Sequence, residues 1–171
     1  MKELLKLEAE LLEHLGFEAP VEVNYDEVCK EYGDVEILED EHESRMWKEL
    51  GHCISLQNFP IRTSPFYNMR RSDKGTFNKI DVILFGQETI GSAERSCDVE
   101  EMKHNFYTIE NGKYDAKLFE LFGEERVRKE LNEFLEFEFF PRFGGGIGLT
   151  RLARAYEMLQ ELKEKEVEEL V

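Results

Sequence analysis

Residues 143–151 read F-G-G-G-I-G-L-T-R, four glycines within five positions directly ahead of a stretch with helical periodicity. Successive side chains of an extended strand point to opposite faces. Gly144, Gly146 and Gly148 therefore fall on one face, with Phe143, Gly145, Ile147 and Leu149 on the other. One face is then bare backbone, and a flat ring such as adenine can lie where any Cβ would hold it off. Thr150 is placed to cap the following helix, and Arg151 falls in its first turn. Free N–H groups and a guanidinium would converge there on anionic groups at the end of the ligand, which is the shape of a nucleoside triphosphate. Taken alone, the motif also suits tight helix-on-sheet packing with Arg151 in a surface ion pair.

The chain is long enough, at 171 residues, for one domain with its own core, and 41% hydrophobic residues supply the material. No run approaches the ~18 apolar residues of a membrane span, and M-K-E-L-L-K-L-E-A-E is too acidic for a secretory leader, so the expected compartment is the cytosol. With 22 basic against 38 acidic residues the net charge is −16, which excludes gripping nucleic-acid phosphates through a basic surface of this chain. Cys29, Cys53 and Cys97 form no C-x-x-C pair and read as buried thiols. Isolated His42 and His52 read as structural.

Along the chain, leucines at 4, 5, 7, 11, 12 and 15 predict an amphipathic helix closed by Gly16. V-E-V-N-Y (21–25) predicts a strand, Asp26 the cap of a short helix, and V-E-I-L (35–38) a further short strand. A helix through Leu50 leads to the buried strand G-H-C-I-S-L-Q, and two antiparallel strands meet at a turn on Gly86. Asp98 should cap a helix, Gly123 should break residues 115–136 into two, and a last helix runs from about Thr150 to the chain end. Trp47, Phe66, Tyr67 and F-L-E-F-E-F-F (134–140) read as core, and K-E-K-E-V-E-E-L as a solvated helix face. The expected class is α+β, one domain over 1–171 with a mostly antiparallel sheet flanked by helices and an N-terminal amphipathic helix over 1–20.

The strands around Gly86, K-I-D-V-I-L-F-G-Q-E-T-I-G-S-A-E-R, add chemistry. Asp81 and Glu88 flank the turn and can share a face, with Gly91 or Ser92 near the bare patch. Two such carboxylates suit Mg²⁺, which takes oxygen ligands and bridges to substrate phosphates. Each carboxylate taken singly reads as solvated.

Together these stretches resemble class II aminoacyl-tRNA synthetases, most closely the aspartate/asparagine branch. G-G-G-I-G-L-T-R-L (144–152) is similar to the third signature motif of that class, and Pro141 ahead of it also fits. E-T-I-G-S-A-E-R (88–95) is similar to its amino-acid-binding strand, while D-E-H-E (40–43) and F-P-I-R-T-S-P-F-Y-N-M-R (59–70) resemble two more branch segments. The resemblance implies a partial class II catalytic core using ATP and Mg²⁺. It implies Asp81 and Glu88 as metal and ATP carboxylates, and Arg151 as the γ-phosphate arginine. Arg95 would read the substrate side chain, with Gly91 and Ser92 in the amino-acid pocket and Gly144, Gly146 and Gly148 under the nucleotide.

Ser92 and Ala93 stand where the branch commonly has Gly and Ser, and Thr150 replaces its usual glutamate. The first and second motifs of the class, which supply the dimer helix and the arginine on the α-phosphate, belong ahead of residue 40, where this chain has a short helix; the resemblance runs over roughly residues 22–160. The implied activity is ATP-dependent amino-acid activation as an adenylate. Amidation of an aspartyl-adenylate to asparagine, and a non-catalytic binding module, are the alternatives. The expected partners are an amino acid, ATP, and either a second copy or a complementing chain at an exposed sheet edge; tRNA is left open.

Overall fold

At the centre of the computed structural model, which describes residues 1–169, is a hairpin turned by Phe85 and Gly86, both at positive φ (47° and 76°). Two consecutive left-handed residues match the right-handed twist of paired strands. A Cβ on Gly86 would stand 3.1 Å from the Trp47 ring and 3.2 Å from Ser44 Cα, so glycine also lets a helix close over the turn. The sheet comprises β1 (Val21–Asn24), β2 (Cys53–Phe59), β3 (Phe77–Leu84), β4 (Gln87–Arg95) and β5 (Arg142–Ile147), in that spatial order. β1 and β2 are parallel and every other neighbour is antiparallel, the α+β arrangement expected from the sequence.

One face of the sheet buries Ile80, Val82, Leu84 and Ile90 under Leu4 and Leu12 of α1 (Lys2–His14) and Ala155 and Leu159 of α7 (Leu149–Glu169). Leu4 and Leu12 are two helical turns apart, so α1 presents one apolar stripe, and each such leucine contributes about 1.5–3 kcal/mol of burial. On the opposite face, Ile54, Leu56 and Ile83 lie beneath Val28 and Cys29 of α2 (Tyr25–Glu31) and Met46 of α3 (Asp40–Leu50). α4 (Val99–Thr108), α5 (Lys113–Phe122) and α6 (Glu124–Leu135) gather around Met102, Phe106, Val127 and Leu131 as a separate apolar cluster. The apolar cover of the second face reaches β3; over β4 and β5 that face carries glycines.

Several local expectations are corrected. Asn24, not Asp26, caps α2, its Oδ1 accepting from Asp26 N at 3.0 Å. Residues 35–38 form no strand: Tyr25 Oη accepts from Leu38 N at 2.8 Å, and Val35 and Leu38 pack on the core below α2. α7 begins at Leu149, with the Gly148 carbonyl accepting from Leu152 N at 2.8 Å, so Thr150 sits inside the first turn and Gly148 holds the cap position. Cys97 is exposed, unlike Cys29 and Cys53. Phe66 is exposed in the loop ahead of β3, and Phe137 and Phe140 are exposed because the 134–140 run leaves α6 after Leu135 and loses its helical periodicity. Asp98 does cap α4, accepting from Glu101 N at 2.9 Å. Residues 163–168 at the end of α7 are exposed, with Lys163 donating to the Gly16 carbonyl at 2.8 Å; residues 170–171 of the expected helix lie outside the described residues.

Candidate nucleotide and amino-acid site

The site begins with an irregularity in the hairpin. Ile83 pairs with Glu88 but Val82 pairs with Ile90, leaving Thr89 as a one-residue bulge. Beyond it Asp81 pairs with Gly91, so Asp81, Glu88 and Gly91 share one face while Ile90 turns into the core on the other. The bulge also frees carbonyls for the next segment. Thr89 O accepts from Gly148 N at 2.8 Å, and Glu88 O accepts from Arg151 Nη1 at 2.5 Å, which ties the start of α7 to the bulge.

Gly91 pairs in turn with Gly146, and Ala93 with Gly144. A Cβ on Gly146 would meet nothing within 4 Å, whereas one on Gly144 would lie 3.6 Å from Arg95 Nε. The bare patch is therefore Gly146, smaller than the alternation predicts, because the Arg95 side chain folds over Gly144 and donates to its carbonyl at 3.1 Å, and the Glu88 carboxylate covers Gly91. Gly148 has left the strand for the head of α7. Gly145 faces the other layer, where a Cβ would collide with Ser92 Cβ at 2.8 Å. Glu88, Gly91, Gly146, Gly148, Thr150 and Arg151 line a cavity of about 310 Å³, into which the first turn of α7 presents its unbonded N–H groups.

The acid pair converges over Gly91. A Cβ there would stand 2.8 Å from Glu88 Oε1 and 3.5 Å from Asp81 Oδ1, space that only glycine leaves to the carboxylates. Asp81 is 6% exposed and its Oδ1 is buried without a hydrogen-bond partner, while Oδ2 is ion-paired with Lys79. Burial pushes its carboxyl up to about 6 against the pull of the Lys79 ammonium, and the Glu88 charge adds to the rise. A third acid, Glu43 of α3, accepts from Glu88 N at 2.8 Å. Burial raises Glu43 to about 7, with that hydrogen bond opposing and the charges of Glu88, Asp40 and Asp81 adding. Among the described residues no group of three or more His, Cys, Asp or Glu side chains is disposed to hold a metal ion. Two carboxylates with an orphaned oxygen between them nevertheless fit Mg²⁺, which completes its shell with water and phosphate oxygens.

Arg95, at the far end of β4, donates from Nη1 to Asn68 Oδ1 at 3.1 Å and pairs across strands with Arg142. Ser92 is the residue the structure removes from the predicted constellation. It pairs with Ile80 on the α1 side and donates to the buried Glu8 carboxylate of α1 at 2.5 Å, because the bulge rather than strict alternation sets which side it faces. Sequence reasoning missed Lys79, although a residue two before Asp81 on one strand must share its face. It gave Glu43 no role beyond its place in D-E-H-E (40–43) and passed over Arg142; the proximity of each to the site comes from helix packing and cross-strand register.

A family model described as tRNA synthetases class II (D, K and N) matches residues 4–166, which takes in most of α1. A probable cytoplasmic aspartate–tRNA ligase of Encephalitozoon cuniculi is 30% identical over 127 residues, 69% of this chain and 24% of that protein. The chain thus spans about a quarter of the length of that curated relative. Among solved structures, the aspartyl tRNA synthetase from Entamoeba histolytica superposes with a TM-score of 0.58 at 23% identity, covering 80% of this chain and 28% of that one. The asparaginyl-tRNA synthetase from Pyrococcus horikoshii complexed with asparaginyl-adenylate gives 0.59 at 16% identity, covering 81% and 32%.

Proposed function

The chain belongs to the class II tRNA synthetases of the D, K and N group, and from that premise we propose that it is an adenylate-forming, ATP-dependent ligase module acting on aspartate, asparagine or a related amino acid. The observation that carries this is the convergence, around the Gly91–Gly146 pair, of Asp81, Glu88 and Arg151 at one end and Arg95 at the other. The purine would lie on Gly146, beside the acid pair that covers Gly91. Arg151 and the N–H groups of the first turn of α7 would take the terminal phosphates. Asp81 and Glu88 would hold Mg²⁺, which supplies charge neutralisation on the polyphosphate and a template for in-line displacement. Arg95 would grip the amino-acid side chain and orient its carboxylate, which attacks the α-phosphate as pyrophosphate leaves. Chemistry of this kind is mostly positioning and charge stabilisation, so no side-chain nucleophile is needed.

β5 is an outer strand of the described sheet; Phe143 and Ile147 are exposed along it and Leu149 just beyond it. Such an edge, in a chain spanning a quarter of its relative, supports a requirement for a second copy or a complementing chain to finish the site. Among the described residues no helix is long and apolar enough to cross a membrane. A cytosolic setting is part of the proposal, in keeping with the name of the curated relative. One observation favours a binding role without the reaction: Lys79 already engages the Asp81 carboxylate that would share the metal.

Amino-acid-dependent ATP–pyrophosphate exchange, run with the chain alone and with a complementing synthetase half, separates the two. Exchange that disappears in Arg151→Ala and Glu88→Ala supports activation. Absence of exchange under both conditions, with Mg·ATP binding retained, supports the binding module.

A further inference from the structure

Arg95 and Arg142 are direct cross-strand partners on β4 and β5. Like charges placed opposite each other on an antiparallel pair repel, so such a pair persists where something else holds it or something anionic comes between. Among the described residues neither guanidinium forms an ion pair. Arg95 donates to Asn68 Oδ1 and the Gly144 carbonyl, each at 3.1 Å. Arg142 donates from Nη1 to the carbonyls of Ser96 and Phe140 at 3.2 and 3.3 Å and lies over the Phe139 ring at 4.6 Å. All of these acceptors are neutral.

Both arginines line one cavity of about 920 Å³, and three of the four acids around it are engaged elsewhere. Glu94 is ion-paired with the N-terminal ammonium and, at 3.6 Å, with Arg70, and accepts from Asn78 Nδ2 at 2.6 Å. Glu101 pairs with Arg71 at 3.6 Å, and Asp98 is spent capping α4. Glu3 is the remaining carboxylate on the cavity wall. In a chain of net charge −16, two cross-strand arginines held only by neutral acceptors leave a local positive charge uncompensated.

We infer that Arg142 is a specificity-determining residue which, together with Arg95, selects an amino acid with an anionic side chain, a carboxylate rather than an amide. This rests on the amino-acid-activation reading above and deepens it. A carboxylate is acceptor on both oxygens and can receive N–H groups from two guanidinium forks at once, cancelling their mutual repulsion. A side-chain amide offers one oxygen; its NH₂ would face donors with donors and leave the two positive charges uncompensated.

The test is calorimetric titration of the full chain with L-aspartate and with L-asparagine, in the presence of Mg²⁺ and a non-hydrolysable ATP analogue. The expected result is aspartate binding at least tenfold tighter than asparagine. Arg142→Gln should weaken aspartate by roughly tenfold to a hundredfold while changing asparagine little, the loss typical of one charge-assisted contact. Arg142→Lys should recover part of it. A purely structural role for Arg142 would move both ligands together, and that result overturns the inference. So does a native chain that prefers asparagine or does not discriminate, an outcome readable even if Arg142→Gln fails to fold. If the nucleotide analogue binds and neither amino acid does, the inference falls and the nucleotide site stands; if the analogue does not bind either, the activation reading falls with it.

Discussion

Glu8 gives the sharpest test of the packing that supports the site. It sits on the buried side of α1, 5% exposed, with Oε1 accepting from Ser92 and Oε2 buried without a partner. Burial pushes its carboxyl from 4.5 up to about 7, the Ser92 hydrogen bond opposing and the Asp81 charge adding. A carboxyl that holds its proton more tightly in the folded chain than in the unfolded one gives stability that is complete below 4.5 and is lost as pH rises through about 7. A rise of that size corresponds to about 3 kcal/mol, and relaxation with some water access should leave ~1–3 kcal/mol. Glu8→Gln copies the shape of the protonated acid and cannot ionise. Urea unfolding followed by circular dichroism should find the two proteins similar near pH 4, below the ordinary value of 4.5, and the variant more stable by ~1–3 kcal/mol at pH 8. Asp81 and Glu43 titrate in the same window in both proteins, so apart from the coupling of Asp81 to Glu8 their contributions cancel in the difference. Parallel pH profiles for the two chains would refute the buried, ionisable placement of Glu8.

Gly91→Ala puts a Cβ 2.8 Å from Glu88 Oε1, which must move; affinity for Mg·ATP by calorimetry should fall by roughly tenfold, with little change in the thermal melt. Gly86→Ala combines a φ of 76° with a contact of 3.1 Å on Trp47 and should cost about 1–3 kcal/mol in urea unfolding. Leu12→Ala empties a fully buried position between α1 and the sheet and should cost about 2–5 kcal/mol, a value near zero meaning that α1 does not pack there.

Much of this was readable in the chain itself. Asp81 and Glu88 share a face because a two-residue turn at Phe85 and Gly86 forces it, Gly146 is bare because it has no side chain, and Asp98 caps α4 because its carboxylate reaches a free N–H three residues on. Each of these is settled within a few residues, by periodicity or turn chemistry. The tertiary structure decided the rest. The bulge at Thr89 sent Gly91 to the acid face and Ser92 away from it, the docking of α3 brought Glu43 to Glu88, and the register of β4 on β5 set Arg95 opposite Arg142. Such pairings depend on which distant segments bury their apolar faces together, and a charged residue spelled in isolation carries no mark of the neighbour that folding will give it.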